Sequence, residues 1–284
     1  MLCRENARAA CLDTDVRKLV EQRAYLCRLT PDRALASRAD AHDFLHDRGL
    51  LTRTSDSALP SFFEACHEEP YAPGSRGFGS WPATKYPWYF ELAQRPDVHE
   101  LKVHRGKSIL FTDRTLALVD PICRSELERM EQEEEWAPLL GHLADAGPST
   151  LDDLQTELGL KPRELKSLRA PLERCGAVVS RSLRLERPEG GHVHTSELLR
   201  YDQAYPAAAQ SAGIEELVVA AVQAAVLAPE REVLRKWFSW TWRLPADLLD
   251  RLVSAGRLER PAPGWVAAPT SASPESARGS GGRV

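Results

Sequence analysis

One stretch, Pro148 to His194, constrains the fold more than any other. Ser149 and Thr150 can cap a short helix holding Leu151, Leu154 and Leu158, and Gly159 closes it. A second helix then runs from Arg163 to Cys175 and stops at Gly176. Its apolar residues Leu165, Leu168, Leu172 and Cys175 recur at helical spacing and share one face. Arg163, Lys166 and Arg174 point away from that face, with Ser167 and Ala170 among them. A β-rich run, Ala177 to Leu185, leads into Pro188-Glu-Gly-Gly191 and a second run, His192 to Thr195, which together read as a hairpin with a glycine turn. Two helices followed by such a hairpin predict a helix-turn-helix with a β-wing. A helical pair packed inside a larger core is the plainer reading, and it leaves the basic outer face unexplained.

Two further segments follow the same order. Val16, Leu19, Val20, Leu26 and Cys27 form one helical stripe interrupted only by Arg23, Thr30-Pro31-Asp32 opens a short helix, and Ala39 to Arg48 gives a third before the strand-like Leu50 to Thr54. Near the end, helices at Ile214–Leu227, Pro229–Trp240 and Leu244–Ala255 precede Leu258 and Trp265-Val-Ala267, which flank a short proline- and glycine-containing turn. All three segments share Leu-x-x-x-Gly-x-[Leu/Val], as Leu45/Gly49/Leu51, Leu172/Gly176/Val178 and Leu252/Gly256/Leu258. The expected fold is therefore mainly α with small β-wings: tandem winged-helix (helix-turn-helix) units plus a small β-hairpin region. The units fall at 13–54, 136–205 and 213–268, with a connecting region at 55–135 and a disordered tail at 269–284. On the last unit's outer face Asp247 and Asp250 would repel phosphate, so the middle unit is the better candidate to dock a duplex. Pro171 inside its second helix is expected to kink it beyond the N-terminal turn.

The connecting region holds the densest aromatic run, Phe78 to Phe90, in which Trp81, Tyr86, Trp88, Tyr89 and Phe90 surround Lys85. Trp81, Lys85 and Trp88 are candidates for stacking on a base, against the alternative of aromatics plugging a core. His99 to His104 and Lys107 to Thr112 read as a hairpin whose tip carries Arg105 and Lys107, a basic turn suited to a phosphate or simply to solvent. Glu126 to Glu135 reads as a solvated helix or linker.

Composition bounds these readings. The 284 residues carry a net charge of −4, so DNA affinity must come from a local patch and not from the whole molecule's field. No signal peptide or membrane-spanning run is visible, which leads to the expectation of a soluble, cytoplasmic protein without membrane association. The six cysteines show no C-x-x-C pair and read as thiols, several of them in a core. His42 and His46 are one helical turn apart, and Cys66-His67 and His192/His194 are local pairs, but no fourfold set has zinc-finger spacing. A solvated polar face accounts for His42 and His46, so no metal and no cofactor is expected. No P-loop, G-x-S-x-G, G-x-G-x-x-G or H-E-x-x-H is present, and sequence alone identifies no catalytic residue.

The order of parts resembles the winged-helix DNA glycosylases of the AlkZ (YcaQ) type and their relatives. The resemblance rests on Asp40-Ala-His-Asp-Phe-Leu-His-Asp-Arg-Gly-Leu-Leu51, Leu59 to Ala65, Trp81 to Phe90, Val119-Asp-Pro121 and the helix-turn-helix after it. It covers roughly residues 13 to 270 and implies tandem winged helices curved around duplex DNA, with release of alkylated or crosslinked bases in active members. Those members carry a Gln-x-Gln or Gln-x-Asp motif that positions the attacking water. This chain has neither, and reads Thr52-Arg53-Thr54 in the corresponding region. The resemblance thus implies fold and binding to double-stranded DNA, intact or damaged, more than glycosylase chemistry. The expected DNA contacts are Arg163, Lys166, Ser167, Arg174, Arg105 and Lys107. A transcription regulator or a non-enzymatic interaction scaffold is the alternative.

Overall fold

A computed structural model describes residues 14–186, 192–207, 213–238 and 242–269. The chain is mainly helical and carries three small antiparallel sheets. Helix α1 (Thr14–Leu26) comes first, then α2 (Arg38–Arg48), β1 (Leu50–Thr52), α3 (Phe62–Ala65), α4 (Tyr86–Ala93), β2 (Val98–His104) and β3 (Lys107–Thr112). The long α5 (Asp113–Glu131) leads into α6 (Ala137–Ala146), β4 (Ser149–Thr150), α7 (Leu151–Glu157), α8 (Pro162–Cys175), β5 (Val178–Glu186) and β6 (His192–Arg200). After a single turn, α9 (Tyr201–Ala204), come α10 (Ile214–Ala225), β7 (Leu227–Pro229), α11 (Glu230–Lys236), α12 (Leu248–Ser254), β8 (Glu259–Ala262) and β9 (Trp265–Ala267).

The order helix, strand, helix, helix, strand, strand thus occurs three times. In each case the third strand lies between the other two, as β1-β3-β2, β4-β6-β5 and β7-β9-β8. The first occurrence differs from the one expected. Leu50, Leu51 and Thr52 pair with Phe111, Leu110 and Ile109, so one sheet crosses the expected boundary at residue 54. The hairpin at 98–112 and the aromatic segment before it belong with that sheet rather than with a connection. Leu45/Gly49/Leu51 marks the passage from a first helix to a first strand, whereas the other two copies of the pattern follow a third helix. A left-handed glycine (φ 78° at Gly49, 82° at Gly176 and 67° at Gly256) ends a helix in the same way wherever the helix stands, so the motif does not report its place in a repeat.

α1 also differs from expectation. Its Val16 is buried with Leu227 and Ala267 of the third sheet, and Cys27 Sγ donates to the Ala224 carbonyl at 3.5 Å. The acidic run at 126–135 is not wholly solvated, because Leu127 and Met130 continue the buried stripe of Val119 and Cys123 on α5. Helix α8 continues through Pro171 to Cys175. The glycine turn expected at 188–191, residues 1–12, part of the tail and the end of the Pro229–Trp240 helix lie outside the described residues.

The first sheet is covered on both faces, which explains its near-continuous apolar strand Ser108-Ile-Leu-Phe-Thr112. Alternation sends Leu50, Leu101, Ile109 and Phe111 into a core shared with α5, α6, α8 and α10. Leu51, Leu110 and Val98 face a second cluster with Phe44, Leu45, Phe62, Tyr89 and Leu92. The large core continues through Leu165, Leu172, Val178 and Leu198 into Leu217, Val222 and Trp237. At the end of α8, Gly176 stands against the Cys123 sulfur, and a β-carbon there would overlap it.

Candidate nucleic-acid interface

Helix α8 is built from its two ends. Pro162 stands at the first helical position and Glu164 accepts the Lys161 amide at 2.8 Å, satisfying a donor that the helix leaves open. Leu165, Leu172 and Cys175 are buried and Leu168 is half-buried. Arg163, Lys166 and Ser167 are exposed on the other side, and neither cation makes an ion pair among the described residues. The C-terminal half is different, because it packs on β2 of the first sheet. There the buried Glu173 takes Lys102 Nζ at 2.6 Å and Arg169 Nη1 at 3.0 Å. Arg174 is exposed, but its stem lies against Gly106 at the tip of the β2–β3 hairpin and its Nε donates to the Ala170 carbonyl at 3.2 Å. The structure thus joins Arg174 to that tip and leaves Arg163, Lys166 and Ser167 open.

Arg105 and Lys107 are not an isolated basic turn. Both reach Asp56 Oδ2, Arg105 at 3.3 Å, and buried His104 places Nε2 3.3 Å from Oδ1 of the same carboxylate. Burial alone would raise the Asp56 carboxyl, but the hydrogen bonds from His104 and Lys107 hold it well below the usual carboxylate range. Asp56 offsets much of the tip's charge, and nothing local in the sequence marks it.

The aromatic residues form a graded cluster. Tyr71 (60% exposed) and Phe78 (46% exposed) face solvent with ring centroids 5.3 Å apart. Behind them Trp81, half-buried, contacts Phe78 at 5.0 Å, Phe63 at 5.4 Å and Phe90 at 5.7 Å. Trp88 packs against the second core cluster. Lys85 turns toward the body of the protein, donating to the Cys66 carbonyl at 3.2 Å and lying 3.8 Å from Glu68. Trp81, Lys85 and Trp88 are therefore inner members, and the open faces belong to Tyr71 and Phe78. The loop that presents those two is held by amide donation from Tyr71 to the Trp81 carbonyl and from Ala72 to the Gly79 carbonyl, each at 2.7 Å.

A cleft of about 270 Å³ lies between the first and second sheets. Arg53, Phe90, Glu100 and Ser108 line it from the first, and Ser180, Ser182 and Ser196 from the second. Ser180 and Ser182 are two residues apart and so share a face, and Ser182 pairs directly with Ser196. The Arg53 guanidinium lies over Trp81 at 5.1 Å and Tyr89 at 5.8 Å, with Nε buried and without a hydrogen-bond partner. Glu100 accepts the buried Tyr89 hydroxyl at 3.3 Å. Hydroxyls, one cation without a carboxylate partner among the described residues, and one carboxylate suit a sugar-phosphate or a base edge. Sequence reasoning missed this cleft because its walls come from strands distant in the chain.

On the last sheet's helix α12, Asp250 pairs with Arg260 at 2.6 Å and Asp247 with Arg251 at 3.2 Å. The described cysteines are buried thiols, and burial pushes Cys27 and Cys175 up to about 11 and Cys66 to about 12, which suppresses nucleophilic thiolate. His42 and His46 converge on Asp97, a residue absent from the sequence-level reading of that helix. No helix among the described residues is long and apolar enough to cross a membrane. Neither a family model, a curated protein nor a solved structure matches the chain.

Proposed function

We propose that this chain binds double-stranded DNA as a protein of the winged-helix class, docking through the N-terminal half of α8. The observation that carries the reading is the exposed trio Arg163, Lys166 and Ser167 at the start of the third helix of the second repeat, free of intramolecular ion pairs among the described residues. Helices of that position in helix-turn-helix proteins enter the major groove with their first turns, while lysine and arginine supply phosphate contacts. The threefold element order and the first-third-second strand order support the winged-helix assignment. In this reading Arg174 and the Asp56-braced tip with Arg105 and Lys107 fix the angle between two repeats, and Tyr71 with Phe78 stacks on an unpaired base in front of Trp81. Anisotropy titrations of labelled duplex and single strand test it. Duplex binding that weakens steeply with salt is expected, whereas no retention at low salt would leave an interaction scaffold. A narrow consensus in random-site selection would instead indicate a transcription regulator.

One observation favours a second, enzymatic reading. Arg53, in the region resembling the glycosylases' catalytic motif, lines the same cleft as Glu100. In this reading Glu100 orients a water for hydrolysis of an N-glycosidic bond, a task performed by a glutamine or aspartate side chain in the AlkZ type. Incubation with N7-alkylguanine duplex followed by alkali would then cut the strand, and Glu100→Gln would lower that cutting at least 100-fold, in the range of general-base losses. Intact strands after long incubation with the unaltered protein would exclude it.

A further inference from the structure

Three metal-ligating side chains outside the cleft meet at one point. His42 and His46 stand one turn apart on α2 with ring centroids 4.2 Å apart. Asp97, the residue before β2, places Oδ2 2.6 Å from His42 Nε2 and 3.1 Å from His46 Nε2. One donor atom from each of the three residues lies within 4.8 Å of the others. Ligand atoms around a tetrahedral ion with bonds near 2.1 Å lie about 3.4 Å apart, so an ion requires His46 and Asp97 to part by about 0.3 Å and His42 and Asp97 by about 0.8 Å.

The surroundings orient the set. Arg95 Nε lies 3.2 Å from Asp97 Oδ1 and occupies the other carboxylate oxygen, leaving Oδ2 to the imidazoles. His42 and Asp97 are sheltered while His46 is exposed, so water can complete the shell of an ion held here. Two imidazoles and a carboxylate are a borderline donor set that favours zinc and its transition-metal neighbours over magnesium or calcium, which take oxygen.

From this geometry we infer that His42, His46 and Asp97 form a mononuclear site for a divalent transition-metal ion of the zinc class. Bound there, the ion clasps helix α2 to the entry of β2 across the first sheet.

Isothermal titration of the full chain with zinc, repeated with nickel to separate imidazole from thiolate sites, tests it. The unaltered protein is expected to take up one equivalent more than the His42→Ala/His46→Ala double variant. Asp97→Asn is expected to weaken that equivalent at least tenfold, and saturating zinc to raise the melting temperature of the unaltered protein but not of the double variant. His46→Ala alone, altering the most exposed ligand, serves if the double variant does not fold. Cobalt should broaden the His42 and His46 ring resonances selectively. Equal stoichiometry and affinity in protein and variants, or no saturable uptake by the unaltered chain, would overturn the site and leave a hydrogen-bonded histidine–aspartate–histidine cluster.

Discussion

Glu173 and Asp56 show how single carboxylates fix the cationic groups of this molecule. Glu173 is buried and binds Lys102 from β2 together with Arg169 one turn earlier on α8. Replacing it by leucine strands two cations at a packed junction and should cost about 3 kcal/mol, measured by urea denaturation, at the low end for a broken buried pair because both partners reach solvent. A change within experimental error would mean that Lys102 and Arg169 find water without loss. Asp56 predicts a pH dependence. Its folded-state carboxyl lies below the unfolded value of about 3.9, so its stabilisation is complete above that value and is lost as pH falls through the lower, folded one. Asp56→Asn should therefore be less stable at neutral pH and lose less on acidification below about pH 4. Parallel acid limbs for the two proteins would contradict the account of the hairpin tip.

At the scale of elements, the α8–β5 junction makes the sharpest demand on sequence. Gly176 has φ 82° and no room for a β-carbon beside Cys123. Gly176→Ala should destabilise by about 2–4 kcal/mol, the sum of left-handed backbone strain and overpacking. Adding Cys123→Ala should recover the packing share alone, and full recovery would show that the backbone carries no strain. This junction was legible from sequence because its signals are local: a proline at one end of α8, a glycine at the other and leucines at helical spacing between them. Of the first sheet only the hairpin at 98–112 was. α3 is a single turn, α4 begins only after the long aromatic loop, and β1 finds its partner in β3 through pairing that no neighbouring residue announces. The apolar strand Ser108–Thr112 is buried on both faces, and its lack of alternation gave no sign of which layers cover it. The same distance in sequence hid the cleft, Asp56 and Asp97, while the open side of α8 followed from its own spacing.

Across the whole molecule, one apolar core runs through all three sheets, and α1 closes onto the third. Such continuity holds the repeats at fixed angles, and on a chain of net charge −4 the exposed Arg163 and Lys166 form a local cationic surface on α8. In the proposed function this surface, and not general charge, contacts DNA. The salt dependence of duplex binding in Arg163→Ala/Lys166→Ala, set beside Arg17→Ala/Lys18→Ala on the exposed side of α1, distinguishes the two. Each phosphate contact contributes about 0.9 to the slope of log affinity against log salt. The α8 pair should lower that slope by about 2 and weaken binding to all sequences, while the α1 pair leaves both unchanged. Equal effects from the two pairs, or an unchanged slope in the α8 variant, would place the duplex away from the N-terminal half of α8.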